Sequence, residues 1–461
     1  MTLTRLICTL YALMASSLMA NQQPNFVFIF ADDMAYETIG AFGELDIDTP
    51  NLDRLVESST SFSRAYNMGA YSAAVCVASR AMLNTGQSVW DAGKVNYDQV
   101  IQERTSWSLQ MKDAGYDTYM TGKWHVKTPI EKHFDHTANV RKGMPRTTKA
   151  VYNRPLSPAH YEKGWKPWDT SLKGFWEGGK HWSEIVADDS ISFLEAASKK
   201  ETPFFMYLAF NAPHDPRQAP KSFIDQYPLE RIKVPESFQP EHPHAEALCG
   251  KKLRDEVLMP FPRTEYAVKV HRQEYFALIS HMDQQIGRIL DAVEASGKAD
   301  STYIVFTADH GLAVGCHGLS GKQSMYEHST RVPFLISGPN IPVKKTIDTP
   351  IYLQDVAPTA IELAGKKAPE SYFFKSLLPL VKGETSTHYD SIFGTYMKRQ
   401  RAVTKDNWKL ISILNADVYE MYDLNNDPLE LNNLADSPEF EERKQALITL
   451  LDSEIRKFQG K

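Results

Sequence analysis

Three apolar runs, each closing on polar residues, set the pattern of this chain. Asn25-Phe-Val-Phe-Ile-Phe30 ends at Asp32-Asp33. Pro203-Phe-Phe-Met-Tyr-Leu-Ala-Phe210 ends at Asn211-Ala-Pro213-His214, and Ser301-Thr-Tyr-Ile-Val-Phe-Thr-Ala308 ends at Asp309-His310-Gly311. Continuous runs rich in aromatic and β-branched residues predict strands buried on both faces, as in parallel sheets. In such sheets ligands bind beyond the carboxyl ends of the strands, so these terminal acids and histidines are candidates for chemistry. Helical spacing over 49–58 and 272–295 supplies covering layers. The predicted fold is α/β, a large mixed, mostly parallel sheet sandwiched by helices.

The pattern lapses twice, over about 127–182 and 213–268, in stretches rich in Pro, Gly, His and aromatic residues. Four of the eight tryptophans (Trp165, Trp168, Trp176 and Trp182) fall in the first. Long insertions without regular structure are usually functional or disordered. These indoles are suited to stacking on sugar rings and equally to packing the loop. Past about residue 366 the periods shorten: 401–404, 408–413 and 417–422 predict an antiparallel sheet, and 441–458 an amphipathic helix. The expected division is a catalytic α/β domain over 21–365 and a smaller C-terminal α+β subdomain over 366–461.

Residues 1–20 read as a signal peptide. Arg5 precedes an apolar run from Leu6 to Met14 broken only by Thr9, and Ala15, Ser16, Ser17 and Ala20 lead into Asn21-Gln22-Gln23. The run is too short to span a bilayer, and no other stretch reads as a membrane span. A periplasmic or secreted protein is therefore expected. Composition adds that 461 residues, 42% of them hydrophobic, suffice for a large core. A net charge of −6 argues against a nucleic-acid partner, so an anionic substrate must meet a local cluster of cations. Removal of Cys8 with the leader leaves Cys76, Cys249 and Cys316, an odd number for an exported chain. Cys249 and Cys316 are either a pair or two buried thiols.

Residues 76–87 carry the sharpest signal: Cys76-Val-Ala-Ser79-Arg80, then Leu83, Thr85 and Gly86. Ser79 to Thr85 predicts a helix stopped by Gly86, with residue 76 just before its N-terminus, where free N–H groups favour an anion. This stretch resembles the signature of the type I sulfatases of the alkaline phosphatase superfamily. Further blocks resemble the same family in the same order. They are Ala31-Asp32-Asp33-Met34 with Thr49-Pro50-Asn51, Thr121-Gly122-Lys123-Trp124-His125, Ala212-Pro213-His214, and Ala308-Asp309-His310-Gly311 followed by His317-Gly318, Lys322 and Arg331-Val332-Pro333. Tyr422-Asp423-Leu424 through Glu430 resembles the C-terminal subdomain of sulfatases.

The resemblance implies that a maturation enzyme oxidises Cys76 to Cα-formylglycine, whose hydrate is the nucleophile. It implies one divalent cation, Ca²⁺, held by Asp32, Asp33, Asp309 and His310 together with residue 76. His310 stands where the family usually has Asn, and a ring nitrogen is a softer donor than the oxygens Ca²⁺ prefers. Arg80 is implied to orient the formylglycine, Lys123 and Lys322 to bind sulfate oxygens, His125 to take the proton of the second hydroxyl, and His214 to protonate the leaving alkoxide. Packing is the expected role of His317. The insertions place His181, Trp182, Arg217, His271 and Arg272 as candidate sugar contacts. The expected substrate is a sulfated oligo- or polysaccharide: the chain is broadly similar to sulfatases acting on marine galactans such as carrageenan, with host glycosaminoglycans and sulfated fucans as alternatives. Competing expectations are a formylglycine-dependent phosphodiesterase or phosphonate monoester hydrolase, and a glycan-binding protein without activity.

Overall fold

The run from Phe26 to Phe30 forms the centre of an eight-stranded sheet in the protein, here a computed structural model describing residues 23–161 and 164–459. The expected leader lies outside the described residues. Apart from a small sheet of Ala65–Tyr66, Arg331–Val332 and Ile351–Tyr352, the strands up to residue 347 are, in chain order, β1 (Asn25–Asp32), β2 (Thr60–Phe62), β3 (Gly69–Ala70), β4 (Asp117–Lys123), β5 (His136–Arg141), β6 (Phe204–Pro213), β7 (Thr302–Ala308), β8 (Phe334–Ser337) and β9 (Lys345–Ile347). The main sheet runs β9-β2-β8-β7-β1-β6-β4-β5. β1 lies parallel to both neighbours, with Phe28 opposite Tyr207 on one side and Val305 on the other. Only β8 opposes its neighbours, so the sheet is mixed and mostly parallel.

The three strands predicted from the apolar runs are the three central ones, because only strands covered on both faces can be apolar throughout. Helices flank the sheet, namely α1 (Pro50–Glu57), α2 (Val75–Thr85), α3 (Trp107–Asp113), α4 (Trp182–Ala197), α6 (Glu265–Ala295) and α7 (Val356–Leu363), while the short α5 (Arg254–Val257) belongs to the second insertion. Trp107 of α3 is fully buried, its ring 5.0 Å from Phe28 and 4.9 Å from Phe205. α6 begins at Glu265, seven residues before the sequence expectation, because the Thr264 hydroxyl caps it by accepting the Ala267 N–H at 3.1 Å.

The insertions are less irregular than expected. The first contributes edge strand β5 to the main sheet, and the second carries short helices including α5. Their four indoles are at least half-buried, with Trp165 donating to Glu274 and Trp182 to the Glu177 carbonyl. Beyond 366, β10 (Ile392–Tyr396), β11 (Gln400–Lys405), β12 (Trp408–Ile413) and β13 (Val418–Asp423) form an antiparallel sheet, backed by α8 (Glu441–Gln459). This sheet does not stand alone, since β3 from the first half of the chain pairs with β10 as its fifth strand. No helix among the described residues is long and apolar enough to cross a membrane.

Candidate active site

Parallel pairing of β1 with β7 sets Ala31 opposite Ala308, so Asp32-Asp33 and Asp309-His310 leave the sheet side by side. The next strand, β6, delivers His214 from the same edge, and β4 beyond it delivers Lys123. Register slips between Thr121 and Lys123, where Gly122 has φ +85° and a Cβ would lie 1.8 Å from the Ala209 carbonyl oxygen. Only glycine allows that approach, and the slip turns the Lys123 ammonium onto Asp32. α2 packs its N-terminal end over the same edge. It starts at Val75, earlier than expected, so Cys76 sits within its first turn rather than before it. The apolar side chains of Val75 and Ala78 pack into the interior and carry the helix back to Ala74. Its other end matches expectation, with Gly86 at φ 66° donating its N–H to the Met82 carbonyl.

These elements bring together Cys76, Arg80, Lys123, His214, Lys322, Asp32, Asp33, Asp309 and His310, all buried. The Cys76 Sγ lies 3.1 Å from Lys322 Nζ and 3.6 Å from both Asp33 Oδ1 and His310 Nε2. Lys322 also donates to both oxygens of Asp33 at 2.7 and 2.8 Å. Arg80 pairs with Asp309 at 3.1 Å and with Asp32 at 3.7 Å, and donates to the Lys123 carbonyl at 2.7 Å. His214 Nε2 faces Asp33 Oδ2 at 3.6 Å. Carbonyl oxygens only accept, so the bonds from His310 Nδ1 to Gly311 O (2.7 Å) and from His214 Nδ1 to Asp215 O (2.9 Å) put a proton on Nδ1. Both Nε2 lone pairs then face the carboxylates. His125 stands at the rim, half-buried at φ 53°, its Nδ1 buried without a hydrogen-bond partner.

Electrostatics here is dominated by three buried acids. Burial opposes charge on Asp32, but Lys123, His214 and Arg80 hold it below the usual carboxylate range. Burial pushes Asp33 well above that range despite Lys322, with Asp32 and Asp309 adding to the rise. Lys322 itself is raised well above the ordinary lysine value, since Asp33, Cys76, Asp255 and Asp32 outweigh its burial, and it stays charged. The imidazoles are neutral: burial brings His310 to about 4, burial with Lys123 and Arg80 brings His125 to about 3, and burial with Lys322 lowers His214 well below its usual value.

This donor set fits a metal ion. Asp33, Cys76, Asp309 and His310 each offer an atom within 4.8 Å of the others, and Asp32 Oδ1 is buried with no hydrogen-bond partner. An orphaned carboxylate oxygen beside two further acids calls for a cation.

Two residues unmarked in the sequence hold the site's frame. Glu256 accepts the Gly321 N–H at 2.8 Å and pairs with Arg263, fixing the backbone before Lys322. Asn67 donates to the Asp309 carbonyl and accepts the Gly69 N–H at 2.6 Å. Their partners lie far along the chain, and no local pattern marks such residues.

The structure places the five candidate sugar contacts inside the protein. His181, Trp182, Arg217, His271 and Arg272 are all buried. His181 caps α4 by accepting the Ser183 N–H and bonds the Gln218 carbonyl, and Trp182 lies under Arg141. Arg217 bridges Asp215 and His271, while Arg272 lies over Phe276. Insertion side chains this enclosed build the wall's interior, not its face. His317 stacks on Tyr326 with centroids 4.2 Å apart. Cys249 and Cys316 are separate buried thiols.

Residues 24–366 match the sulfatase family model, and 315–457 match the C-terminal model of N-sulphoglucosamine sulphohydrolase. The chain belongs to the sulfatase family and is a sulfuric ester hydrolase. It is 30% identical to an arylsulfatase of Clostridium perfringens over 94% of both chains. A solved protein in complex with its substrate, D-glucosamine-2-N,6-O-disulfate, superposes with a TM-score of 0.73 at 25% identity, over 94% of this chain and 98% of that one. Ps i-CgsB in complex with k-i-k-neocarrahexaose gives 0.68 at 25% identity, over 95% and 93%. A phosphonate monoester hydrolase of Agrobacterium radiobacter shares the fold, with a TM-score of 0.72 at 20% identity, over 93% and 95%.

Proposed function

We propose that the protein is an exported sulfatase that removes sulfate esters from a carbohydrate, a marine sulfated galactan such as carrageenan, through a formylglycine formed from Cys76. The observation that carries the nucleophile is the position of Cys76. Its Sγ sits in the first turn of α2, 3.1 Å from the Lys322 ammonium and 3.6 Å from two atoms of the candidate metal cluster. An alcohol or thiol at that point would be left as a stable sulfate ester, whereas the hydrated aldehyde offers one hydroxyl to attack sulfur and another to expel sulfate. Ca²⁺ bound by Asp32, Asp33, Asp309 and His310 would polarise a sulfate oxygen. Lys322 and Lys123 carry positive charge to where negative charge gathers as the S–O bond stretches. His214, already fixed as the Nδ1–H tautomer, presents Nε2 to the same point; once that nitrogen takes up a proton from solvent, the imidazolium passes it to the leaving sugar oxygen and returns to the neutral form. His125, neutral and at the rim, takes the proton of the second hydroxyl.

The carbohydrate assignment draws on two structural relatives solved with sulfated or carrageenan-type sugars, and on the two insertions that rise around the strand ends. The test is release of sulfate from neocarrageenan oligosaccharides by protein matured in a competent host, beside matched phosphate and phosphonate esters. Turnover of sulfate esters at least about 100-fold faster than phosphonates supports the proposal. The reverse order sinks it.

A further inference from the structure

The two insertions meet beside His214, and the residues that join them leave one cation facing outward. Asp215 carries the carbonyl that fixes the His214 tautomer. Its carboxylate is held by Arg217 at 3.0 Å and by Arg154, from the first insertion, at 3.4 Å. Arg154 also donates to the Pro216 carbonyl at 2.6 Å and pairs with Glu274 of α6. Arg154, Arg217 and Glu274 are almost wholly buried, and their charges serve one another. Arg254, from the second insertion, differs. Its guanidinium stands 3.8 Å from Asp215 and 2.7 Å from Asp255, with 42% of its side chain exposed.

Arg254 is fixed by one oxygen from each carboxylate, Asp255 Oδ1 and Asp215 Oδ2, while Arg217 and Arg154 take Asp215 Oδ1 and Gln323 Nε2 takes Asp255 Oδ2 at 2.8 Å; the part of its side chain left exposed faces outward. The Tyr152 ring backs the guanidinium at 5.8 Å. The residues on either side tie this position to the reaction: Asp215 follows His214, and Gln323 follows Lys322. Arg254 is thus linked to both through its partners, to His214 by Asp215 and to Lys322 by Asp255 and Gln323.

We infer that Arg254 is a specificity residue that binds a second anionic substituent of the substrate, a sulfate or carboxylate beyond the one being hydrolysed. A preorganised, ring-backed guanidinium binds the two oxygens of such a group bidentately. The preferred substrate class is therefore a doubly anionic sugar unit. This inference rests on the sulfated-carbohydrate proposal above, and binding measurements separate the two.

The experiment uses calorimetry on protein carrying Cys76→Ala, so that no ligand is consumed. The ligands are singly and doubly sulfated neocarrabiose, the same pair for glucosamine, and a singly sulfated disaccharide ending in a uronate. In at least one comparison the doubly anionic ligand should bind about ten-fold tighter or more, and Arg254→Gln should remove that preference while leaving the singly sulfated ligand within about two-fold. Arg254→Lys, which keeps the charge but loses the fork, should retain only part of it. Loss confined to the second sulfate or to the uronate identifies the anion. Equal affinity within every comparison, or a preference that survives Arg254→Gln, overturns the inference. A preference lost with Arg254→Gln in a matured protein that hydrolyses no sulfate ester sustains this inference and defeats the hydrolase proposal.

Discussion

At the scale of single residues the site is a crowd of buried charges whose roles follow from neighbours. Lys322 contacts Asp33 twice and the Cys76 sulfur once, so it joins the cation cluster to the nucleophile. Lys322→Ala should lower kcat by about 10²–10³-fold with a smaller change in KM, because charge placed at a developing negative centre acts mainly on the transition state. Steady-state kinetics checks this, and a pure KM effect would assign Lys322 to ground-state binding alone. The acids make a second prediction. Chelation should lower the melting temperature, since Asp32, Asp33 and Asp309 then lie close together without their cation, and adding back Ca²⁺ should restore it. A melting temperature indifferent to chelator and metal would contradict the proposed centre. Most of these residues were legible in the sequence, because strand-end acids and the block around Cys76 are local patterns. Arg254, Glu256 and Asn67 were not, since what they do depends on partners brought from elsewhere by the fold.

Among the elements, the strand ends do the positioning and a few backbone devices set the aim. Gly122 shows how tight the tolerance is. A Cβ there would lie 1.8 Å from the Ala209 carbonyl oxygen, so Gly122→Ala must push β4 away from β6. It should destabilise the fold by about 2–4 kcal/mol and displace Lys123, measured by denaturant titration beside activity. Unchanged stability would mean that β4 yields without cost. The sequence foretold β1, β6 and β7 because burial on both faces writes itself as an unbroken apolar run. It misplaced the starts of α2 and α6 by a turn or two. α2 starts early because Val75 and Ala78 find apolar neighbours, and α6 because Thr264 supplies a cap ahead of the periodic stretch. The insertions were expected to be irregular, with indoles suited either to a sugar or to loop packing and with basic residues as candidate sugar contacts. Those residues were found inside, where each indole and guanidinium meets a hydrogen-bond or ring partner.

Across the whole molecule, the two parts of the chain are joined by buried polar contacts as well as by β3. Lys409 of β12 lies between Glu430 at 2.8 Å and Glu327 at 3.0 Å, all three mostly buried. Burial, opposed by Lys409 and aided by Glu327, raises Glu430 from 4.5 to about 7. The folded protein then holds a proton that the unfolded chain releases above about pH 4.5, so this group's contribution to stability falls as pH rises from about 4.5 to about 7. Melting temperatures across that window should decline less steeply for Glu430→Gln than for the parent, and parallel curves would refute the assignment. The joint also explains why a division at residue 366, natural in the sequence, does not cut the structure cleanly: strand β3 closes the C-terminal sheet and precedes the Cys76 helix by a few residues.

In the mechanism proposed for the working enzyme, residue 76 is no longer a cysteine. Mass spectrometry of the tryptic peptide spanning residues 65–80, from protein made in a host able to mature sulfatases, tests it directly. An aldehyde or its hydrate is expected at position 76 in active preparations, in proportion to their activity. An unmodified thiol in protein that still hydrolyses sulfate esters would contradict it.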